Sequence, residues 1–254
     1  MDNMIKIVGA GAGDPELITV KGMKALEEAD IVIYAGSLVN PALLDYCKTD
    51  CTIYDSAGMN LDEVIAVMAE AYPQGKKIVR LHTGDPSIYG AIREQMDRLE
   101  ELGFQYTVIP GVSSFCAAAA ALKKEYVLPE VSQTVILTRM EGRTPVPERE
   151  DIRNLAKINA TMIIFLSVHM IEEVVARLSE GYSMDTPCAV VYKASWPEEK
   201  KVVGTLADIA EKVHNADIGR TALITVGRFL GDEYALSKLY DKEFSHGYRQ
   251  AKSE

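Results

Sequence analysis

The sequence has few aromatic residues and no long apolar run. Aromatic side chains make up 7% of the 254 residues, and Trp196 is the single tryptophan. The most apolar stretches, residues 117–122 and 161–168, are far shorter than the roughly 20 residues that a membrane-spanning helix needs. Residues 1–6 lack the basic segment and the apolar run of a signal peptide. These absences predict a soluble cytoplasmic protein that does not enter a membrane.

The chain also lacks an excess of positive charge and a recognisable set of metal ligands. Its formal net charge is -10 and its pI is near 5.0, which argues against a protein that binds nucleic acid through a basic face. Two of the four cysteines, Cys47 and Cys51, are closely spaced but have no histidine or second cysteine pair nearby. We therefore expect no metal site, and reduced structural thiols are the simpler interpretation. An anionic small substrate stays compatible with this composition, because a few convergent basic side chains suffice for a local site.

What the sequence does contain is an alternation of apolar runs with helical patterns. In the first half, near-continuous apolar runs separated by helical segments indicate a parallel sheet covered on both faces. The second half is less regular, and consecutive strand patterns at 189–193 and 201–204 predict a hairpin in a mixed sheet. We therefore predict an α/β fold with two α/β domains, residues 1–125 and residues 126–254.

Helix starts are predicted most directly at Asn60. This residue is a typical N-cap, and Glu63 follows at the spacing of a capping box, so a helix is expected over residues 61–72. Apolar spacing predicts further helices over residues 41–47 and 88–102. The last of these would begin inside a glycine loop that also carries candidate site residues.

A glycine-rich turn, Gly9-Ala10-Gly11-Ala12-Gly13-Asp14-Pro15, connects the first predicted strand to a helical pattern. That order is typical of a dinucleotide site, but the fingerprint of such a site needs a third glycine at the position of Asp14. A carboxylate there would repel a pyrophosphate, and the second strand does not end in the acidic residue that binds ribose. No Gly-Lys-Ser/Thr follows the glycines, so a Walker-type nucleotide site is also excluded.

A second loop, Thr83-Gly84-Asp85-Pro86, also follows a strand and precedes a helical pattern. Gly84 permits a tight turn, and Asp85 can accept hydrogen bonds from amine or hydroxyl groups of a ligand. A single Gly-Asp-Pro sequence is explained by a helix cap, but its occurrence in both loops favours a shared function. Because ligands bind beyond the carboxyl ends of parallel strands, we expect the two loops to meet in one crevice.

These motifs resemble those of the tetrapyrrole methylase family, which uses S-adenosylmethionine (SAM) and includes the uroporphyrinogen and precorrin methyltransferases. The similarity extends over residues 9–19, residues 82–90 and Pro110-Gly111-Val112-Ser113-Ser114. The resemblance implies two α/β domains with SAM in the cleft between them, S-adenosylhomocysteine as product, and a homodimer. In this interpretation the first loop forms one wall of a tetrapyrrole cleft and touches SAM at most through Ala12, where the family usually has proline.

Within the family, three segments are most similar to the branch that methylates carbon 11 of precorrin-4 or cobalt-precorrin-4. They are residues 34–39, the arginine-bearing loop 138–147 and residues 237–247. Alternatives inside the family are methylation of another precorrin position or of uroporphyrinogen III. Alternatives from other classes are a nicotinamide or flavin oxidoreductase and a non-catalytic nucleotide-binding module.

The resemblance also implies which residues contact the cofactor and a polycarboxylate tetrapyrrole substrate. Carried over by position, the SAM contacts fall on Thr83, Gly84, Asp85, Ile88, Ser113, Ser114, Leu166, Ala194 and Ala222. Arginine forks and lysine suit carboxylates, so the candidate substrate contacts are Arg80, Arg139, Arg143 and Lys193.

Methyl transfer from a sulfonium depends on positioning more than on an acid or a base. It needs a nucleophilic carbon held about 3–3.5 Å from the methyl group. The sequence has no Ser/His/Asp arrangement and only four scattered histidines. We consider His82 a candidate for removing or relaying a proton after methylation. Asp14 is a candidate for orienting the first loop or meeting a pyrrole N–H, with an N-cap of the helix from Val20 as the alternative.

Overall fold

The computed structural model describes residues 4–251, except for the side chains of Ser37 and Tyr240. The predicted absence of a signal peptide concerns residues 1–6, of which the first three lie outside the described range, as does the predicted domain end at residue 254. Among the described residues, no helix has the length and apolarity that crossing a bilayer requires.

The chain divides into two compact units that are not continuous in sequence. One unit comprises the chain up to Ala118 together with Lys193–Glu199. The other comprises Ala119–Tyr192 and the chain from Lys200 onward. The predicted boundary at residue 125 concerns folding domains and stays a prediction.

The first unit is built on a five-stranded sheet in which all neighbouring strands are parallel. The order of strands across the sheet is β3-β2-β4-β1-β5. A parallel sheet was predicted from the apolar runs, and the structure confirms it. The strands are β1 (Ile5–Gly9), β2 (Ile31–Tyr34), β3 (Thr52–Asp55), β4 (Ile78–His82) and β5 (Tyr106–Ile109).

Helices cover both faces of this sheet, because alternate residues of each strand are apolar on opposite sides. On one face, Val8 and Val32 pack in a cluster with Leu26. On the other face, Ile5 and Ile33 pack in a cluster with Met68 and Leu99. The helices of the first half are α1 (Val20–Glu28), α2 (Leu61–Ala71), α3 (Arg93–Glu101) and α4 (Ser114–Leu122).

The helix starts agree with the sequence in part. The Asn60 side chain and Glu63 form the predicted capping box of α2. The segment Pro41–Tyr46 is a 3₁₀ helix rather than an α-helix. Thr19, not Asp14, caps α1, since its hydroxyl accepts from Gly22 N, while Asp14 caps the short turn that follows it. The cap that the sequence offered for Asp14 was therefore assigned to the wrong helix.

Helix α3 begins at Arg93, later than predicted. Tyr89 has φ 55° and Ala91 has φ 48°, and this left-handed backbone does not continue a helix. The chain also turns so tightly that a Cβ atom on Gly90 would lie 2.2 Å from Pro86 O. The residues expected to form the first turns of the helix thus form a separate loop.

The second unit contains a five-stranded mixed sheet in the order β6-β7-β10-β8-β9. Strands β6 and β7 are parallel, and the other neighbours are antiparallel, including the predicted hairpin of β8 and β9. Buried residues of the strands and helices, among them Ile164, Val174 and Val190, form its core. The elements are β6 (Val135–Arg139), β7 (Thr161–Phe165), β8 (Pro187–Tyr192), β9 (Lys200–Thr205), β10 (Ala222–Val226), α5 (Ile152–Ala156), α6 (Ile171–Leu178) and α7 (Ile209–Asn215).

Candidate cofactor and substrate site

Three glycines hold the carboxyl ends of β1, β4 and β5 in backbone contact. A Cβ atom on Gly9 would lie 2.6 Å from Gly111 Cα and 2.6 Å from Gly84 O, and one on Gly111 would lie 2.2 Å from Gly84 O. These distances are well inside van der Waals contact, so no side chain fits at Gly9 or Gly111 without a backbone shift. Gly84 itself has φ +61°, a conformation that favours glycine.

The two Gly-Asp-Pro loops are joined directly by hydrogen bonds. Gly11 N donates to Gly84 O at 3.2 Å, and Gly84 N donates to Gly11 O at 2.9 Å. Ala10 N donates to His82 O at 2.7 Å. The expectation that these loops lie together at the carboxyl edge of the sheet is therefore confirmed.

Asp85 connects the second loop to the third, which contains Gly111. Its Oδ2 accepts from Gly111 N at 2.9 Å, and its Oδ1 accepts from the Ser87 N–H and hydroxyl. Burial raises the pKa of Asp85, but these hydrogen bonds outweigh burial and the net pKa lies below the ordinary value. From the sequence we predicted that this carboxylate accepts hydrogen bonds from a ligand. In this structure it accepts hydrogen bonds from Ser87 and Gly111 and so connects two loops.

The predicted cofactor residues of these loops lie close to one another. A Cβ atom on Gly84 would lie 3.6 Å from Ser113 Cα and 3.7 Å from Ser114 N. Within residues 4–251, no hydrogen bond is made by the hydroxyls of Thr83 and Ser113, although Ser113 is only 6% exposed. Ile88 is half-buried in the turn between β4 and α3. Hydroxyl and backbone donors beside an unfilled glycine position suit the ribose and amino-acid groups of SAM.

Two further predicted residues, Lys193 and Ala194, follow β8 and belong to the first unit. Ala194 is buried. The Lys193 ammonium lies 5.0 Å from the centroid of the Trp196 ring and 3.7 Å from Glu198 Oε2. Lys193 is therefore held beside an aromatic ring and a carboxylate rather than extended into solvent.

In the second unit, three predicted residues lie along one edge of the mixed sheet. Ile224 pairs with Ile164 in antiparallel register, so β10 begins, at Ala222, at the same end of the sheet where β7 leads into Leu166. Arg139 pairs with Phe165 at the same end of β7. Leu166 is 61% exposed and has φ 56°. A large exposed apolar side chain in a left-handed conformation is typical of a functional position.

Arg139 holds the loop that follows β6. Its guanidinium donates to the carbonyl oxygens of Met140 at 3.1 Å, Thr144 at 3.2 Å and Pro145 at 2.9 Å. The predicted substrate contact of Arg139 is thus replaced, in this structure, by contacts within its own loop. Arg143 lies in the same loop and is exposed.

Arg177 binds this loop through an ion pair with Glu141, and the sequence did not indicate a role for it. It is 8% exposed and lies 2.6 Å from Glu141, 3.0 Å from Asp151 and 2.6 Å from Glu173. The hydrogen bond with Glu141, ahead of the other two carboxylates, raises the pKa of Arg177. The helical periodicity of the sequence could have indicated that Arg177 is buried, because Arg177 falls on the apolar side of α6 with Val174 and Leu178.

Arg80 and His82 are buried under α3. Arg80 donates to Gln95 Oε1 and to Ile33 O, both at 3.1 Å, and burial lowers its pKa to about 10. Burial and the nearby charge of Arg80 lower the pKa of His82 to about 3, and within the described chain its Nε2 has no hydrogen-bond partner.

This environment does not suit the roles that the sequence suggested for Arg80 and His82. A proton relay near neutral pH needs a pKa close to the working pH and contact with substrate. A substrate carboxylate likewise needs an accessible guanidinium, and Arg80 is 6% exposed. Gln95, the partner of Arg80, is a further buried polar residue that the sequence pattern did not reveal.

Among residues 4–251 no group of His, Cys, Asp and Glu side chains is arranged to hold a metal ion.

A parallel sheet with glycine-packed loops and a second, mixed sheet define an α/β protein. The sequence profile described as Tetrapyrrole (Corrin/Porphyrin) Methylases matches residues 4–210, and the chain belongs to this family. It is 63% identical, over 99% of its length and 98% of the relative's, to a cobalt-precorrin-4 C(11)-methyltransferase from Methanocaldococcus jannaschii.

Two solved structures have the same fold. A cobalt precorrin-4 methyltransferase matches with a TM-score of 0.88 and 46% identity, over 91% of this chain and 97% of the other. A uroporphyrin-III C-methyltransferase from Thermus thermophilus, complexed with S-adenosylhomocysteine, matches with a TM-score of 0.74 and 25% identity, over 89% of this chain and 93% of the other. These matches confirm the predicted fold class of two sheets, one parallel and one mixed.

Proposed function

We propose that the protein transfers a methyl group from SAM to carbon 11 of cobalt-precorrin-4, or of metal-free precorrin-4, in cobalamin biosynthesis. The observation that carries this proposal is the 63% identity, over nearly the whole chain, to a relative named for that reaction. The sequence segments that resembled the carbon-11 branch support the same regiochemistry.

We assign the cofactor to the loops after β4 and β5. Bound SAM supplies an electrophilic methyl group on a sulfonium and leaves as S-adenosylhomocysteine. Thr83 and Ser113 offer hydroxyls, Ser114 offers the first backbone amide of α4, and Gly84 leaves space beside them. The bound S-adenosylhomocysteine in a related structure supports this choice of cofactor. The assignments of Ile88, Leu166, Ala194 and Ala222 rest on the resemblance alone.

We assign the substrate carboxylates to Arg143 and Lys193. Arg143 is exposed at a loop that Arg139 and Arg177 hold in place. Arg80 is left out because its guanidinium is buried against Gln95 and Ile33. A homodimer and a cytoplasmic location complete the proposal.

In this proposal the protein acts mainly by positioning. Burial lowers the pKa of His82 to about 3, so this histidine is not suited to act as a base near neutral pH. Fixing the reacting carbon and the methyl group at the correct separation can itself lower the barrier by several kcal/mol, roughly 7–11 in favourable cases. Rigid loops are the structural requirement for that contribution.

Calorimetry followed by product analysis tests the proposal. We expect S-adenosylhomocysteine and SAM to bind and NADH to give no heat of binding. We also expect incubation with labelled SAM and cobalt-precorrin-4 to give one product, in which NMR places the label on carbon 11. Binding of NADH without S-adenosylhomocysteine would contradict the family of reactions, and a label on another carbon would contradict the regiochemistry.

The same titration checks the cofactor residues. Ser113→Ala removes a buried hydroxyl that is available for a ligand, and we expect the Kd for S-adenosylhomocysteine to rise about fivefold, as for one lost hydrogen bond. Cys116→Ser, at an exposed position of α4, which begins directly after Ser113, is the matched control and should leave the Kd unchanged. Equal Kd values for both variants would move the cofactor away from Ser113.

A further inference from the structure

The single tryptophan lies directly on the first glycine loop. A Cβ atom on Gly13 would lie 2.0 Å from Trp196 Cδ1 and 2.1 Å from its Nε1. The indole thus occupies the space where any side chain at residue 13 would be. Gly13 is required here both by this contact and by its φ of +151°.

Hydrogen bonds connect the first glycine loop to Ser195, to Trp196 and to Asn40. Trp196 Nε1 donates to Ala12 O at 3.2 Å, and Asp14 N donates to Ser195 Oγ at 3.0 Å. Asn40 Nδ2 donates to Gly13 O at 2.8 Å. Three consecutive residues of the loop are therefore bound through their backbone.

The segment that carries Trp196 is itself held in an unusual conformation. Lys193 has φ 44° and Ser195 has φ 67°, a left-handed backbone that costs about 1–2 kcal/mol per non-glycine residue. Trp196 N donates to Lys193 O at 3.0 Å, and Ser195 N donates to Glu199 Oε2 at 2.9 Å. Backbone strain that persists in this way concentrates at functional positions.

The first glycine loop also contacts the proposed reaction site. Gly11 exchanges two hydrogen bonds with Gly84, which lies beside Ser113. Ala12 does not restrict its own backbone as a proline would, so the conformation of the loop depends on contacts from outside. Trp196 supplies two of these contacts, the close approach to Gly13 and the hydrogen bond to Ala12 O.

We infer that Trp196 is a positioning residue for methyl transfer, which fixes Ala12, Gly13 and Asp14 and thereby the wall against which the tetrapyrrole is placed. This inference rests on the proposed function. In it, Trp196 does not bind SAM. Its loss therefore affects the reaction with the tetrapyrrole and leaves the affinity for the cofactor unchanged.

Steady-state kinetics of the full chain, with the Kd for S-adenosylhomocysteine measured on the same samples, test the inference. For Trp196→Ala we expect kcat/KM for cobalt-precorrin-4 to fall about tenfold to a hundredfold, because small displacements of a reacting group have effects of that size. Trp196→Phe keeps a ring over Gly13 and loses only the bond to Ala12 O, so a fall of about fivefold is expected. The Kd should stay within twofold of the wild-type value in both variants.

A matched control separates positioning from loss of stability. Phe104 stacks on Tyr72 at 4.2 Å between ring centroids, elsewhere in the first unit. Phe104→Ala should lower Tm while kcat/KM stays at the wild-type value well below the transition. Equal kcat/KM for the Trp196→Ala and Phe104→Ala variants would overturn the inference, as would a Kd for S-adenosylhomocysteine that rises in step with the loss of kcat/KM.

A double-mutant cycle in urea tests the contact independently of any substrate. Gly13→Ala should destabilise the wild-type protein strongly and the Trp196→Ala variant less, because the indole is the first group that the new methyl meets. If the losses of unfolding free energy caused by Gly13→Ala and Trp196→Ala add up in the double variant, Trp196 does not pack on Gly13 as described. If the wild-type protein fails to methylate cobalt-precorrin-4, the proposed function fails, while this cycle still decides whether Trp196 fixes the loop.

Discussion

The loops of the first unit are joined backbone to backbone, whereas the long loop of the second unit is held by two arginine side chains. Gly9 and Gly111 pack so closely against each other and against Gly84 O that a methyl group at either position would overlap backbone atoms. Arg139 and Arg177 instead reach their loop through carbonyl oxygens and carboxylates. The first arrangement depends on the absence of side chains, and the second depends on charge.

This difference separates two ways of making a site rigid. Backbone packing does not depend on pH or salt, but it tolerates no substitution at the contact. Ion pairs tolerate graded substitution and respond to pH and ionic strength, because here the carboxylate partners of the buried Arg177 are partly exposed. Three experiments, in order of decreasing expected effect, examine this contrast.

The largest effect is expected for Gly111→Ala. The added methyl would lie 2.2 Å from Gly84 O, and we expect the free energy of unfolding in urea to fall by about 3 kcal/mol, at the upper end of ordinary overpacking. Gly58→Ala is the matched control in the same unit, since a Cβ atom there meets nothing within 4 Å. If both variants unfold at the same urea concentration, the loops are not packed as described.

A smaller effect is expected for Arg177→Met. This change leaves three carboxylates without their shared partner, which for fully buried pairs costs 3–5 kcal/mol. The side chains of Glu141, Asp151 and Glu173 are 38%, 21% and 53% exposed, so we expect a loss of about 2 kcal/mol in urea unfolding. The exposed pair of Arg93 and Asp97 supplies the control, and Arg93→Met should leave the transition unchanged. A loss as small as that of the control would show that the cluster does not support the loop.

The smallest effect is a change in pH dependence. The hydrogen bond from Arg177 holds the pKa of Glu141 below its ordinary value of 4.5. A carboxyl group with a lowered pKa stabilises the fold above its ordinary pKa, and that stabilisation is lost as pH falls through the lowered value. Glu141→Gln should therefore be less stable than wild type at pH 7 and converge with it as the pH falls through the lowered pKa of Glu141.

Urea midpoints measured between pH 7 and pH 3 follow this convergence. Glu148→Gln removes an exposed carboxylate from the same segment and is the control for net charge. A constant difference between the Glu141→Gln variant and wild type across this range would contradict the ion pair with Arg177.

Periodicity and capping residues in the sequence predicted most of the first sheet. Near-continuous apolar runs separated by helical patterns indicated a parallel sheet covered on both faces, and the capping box at Asn60 placed the start of α2. Local patterns failed where the backbone is shaped by distant contacts. The left-handed residues Tyr89 and Ala91 delay α3, and nothing in their side chains indicates that conformation.

For the candidate site, the sequence predicted which loops meet but did not predict the partners of the basic side chains. That the two Gly-Asp-Pro loops meet follows from parallel topology, because the carboxyl ends of parallel strands share one edge. The partners of the basic residues do not follow from topology. Arg80 meets Gln95, and Arg139 meets carbonyl groups of its own loop, and such contacts depend on side-chain directions that residue type alone does not specify.

The position of Lys193–Glu199 in the chain limits how the protein can be divided or recombined. These residues lie between β8 and β9 in sequence, yet they belong to the first unit and contact its glycine loop. A fragment that stops at Ala118 would lack the tryptophan that its own loop requires. Chimaeras between relatives should therefore inherit the glycine loop and residues 193–199 from the same parent, because a single crossover in the intervening chain separates segments that contact each other.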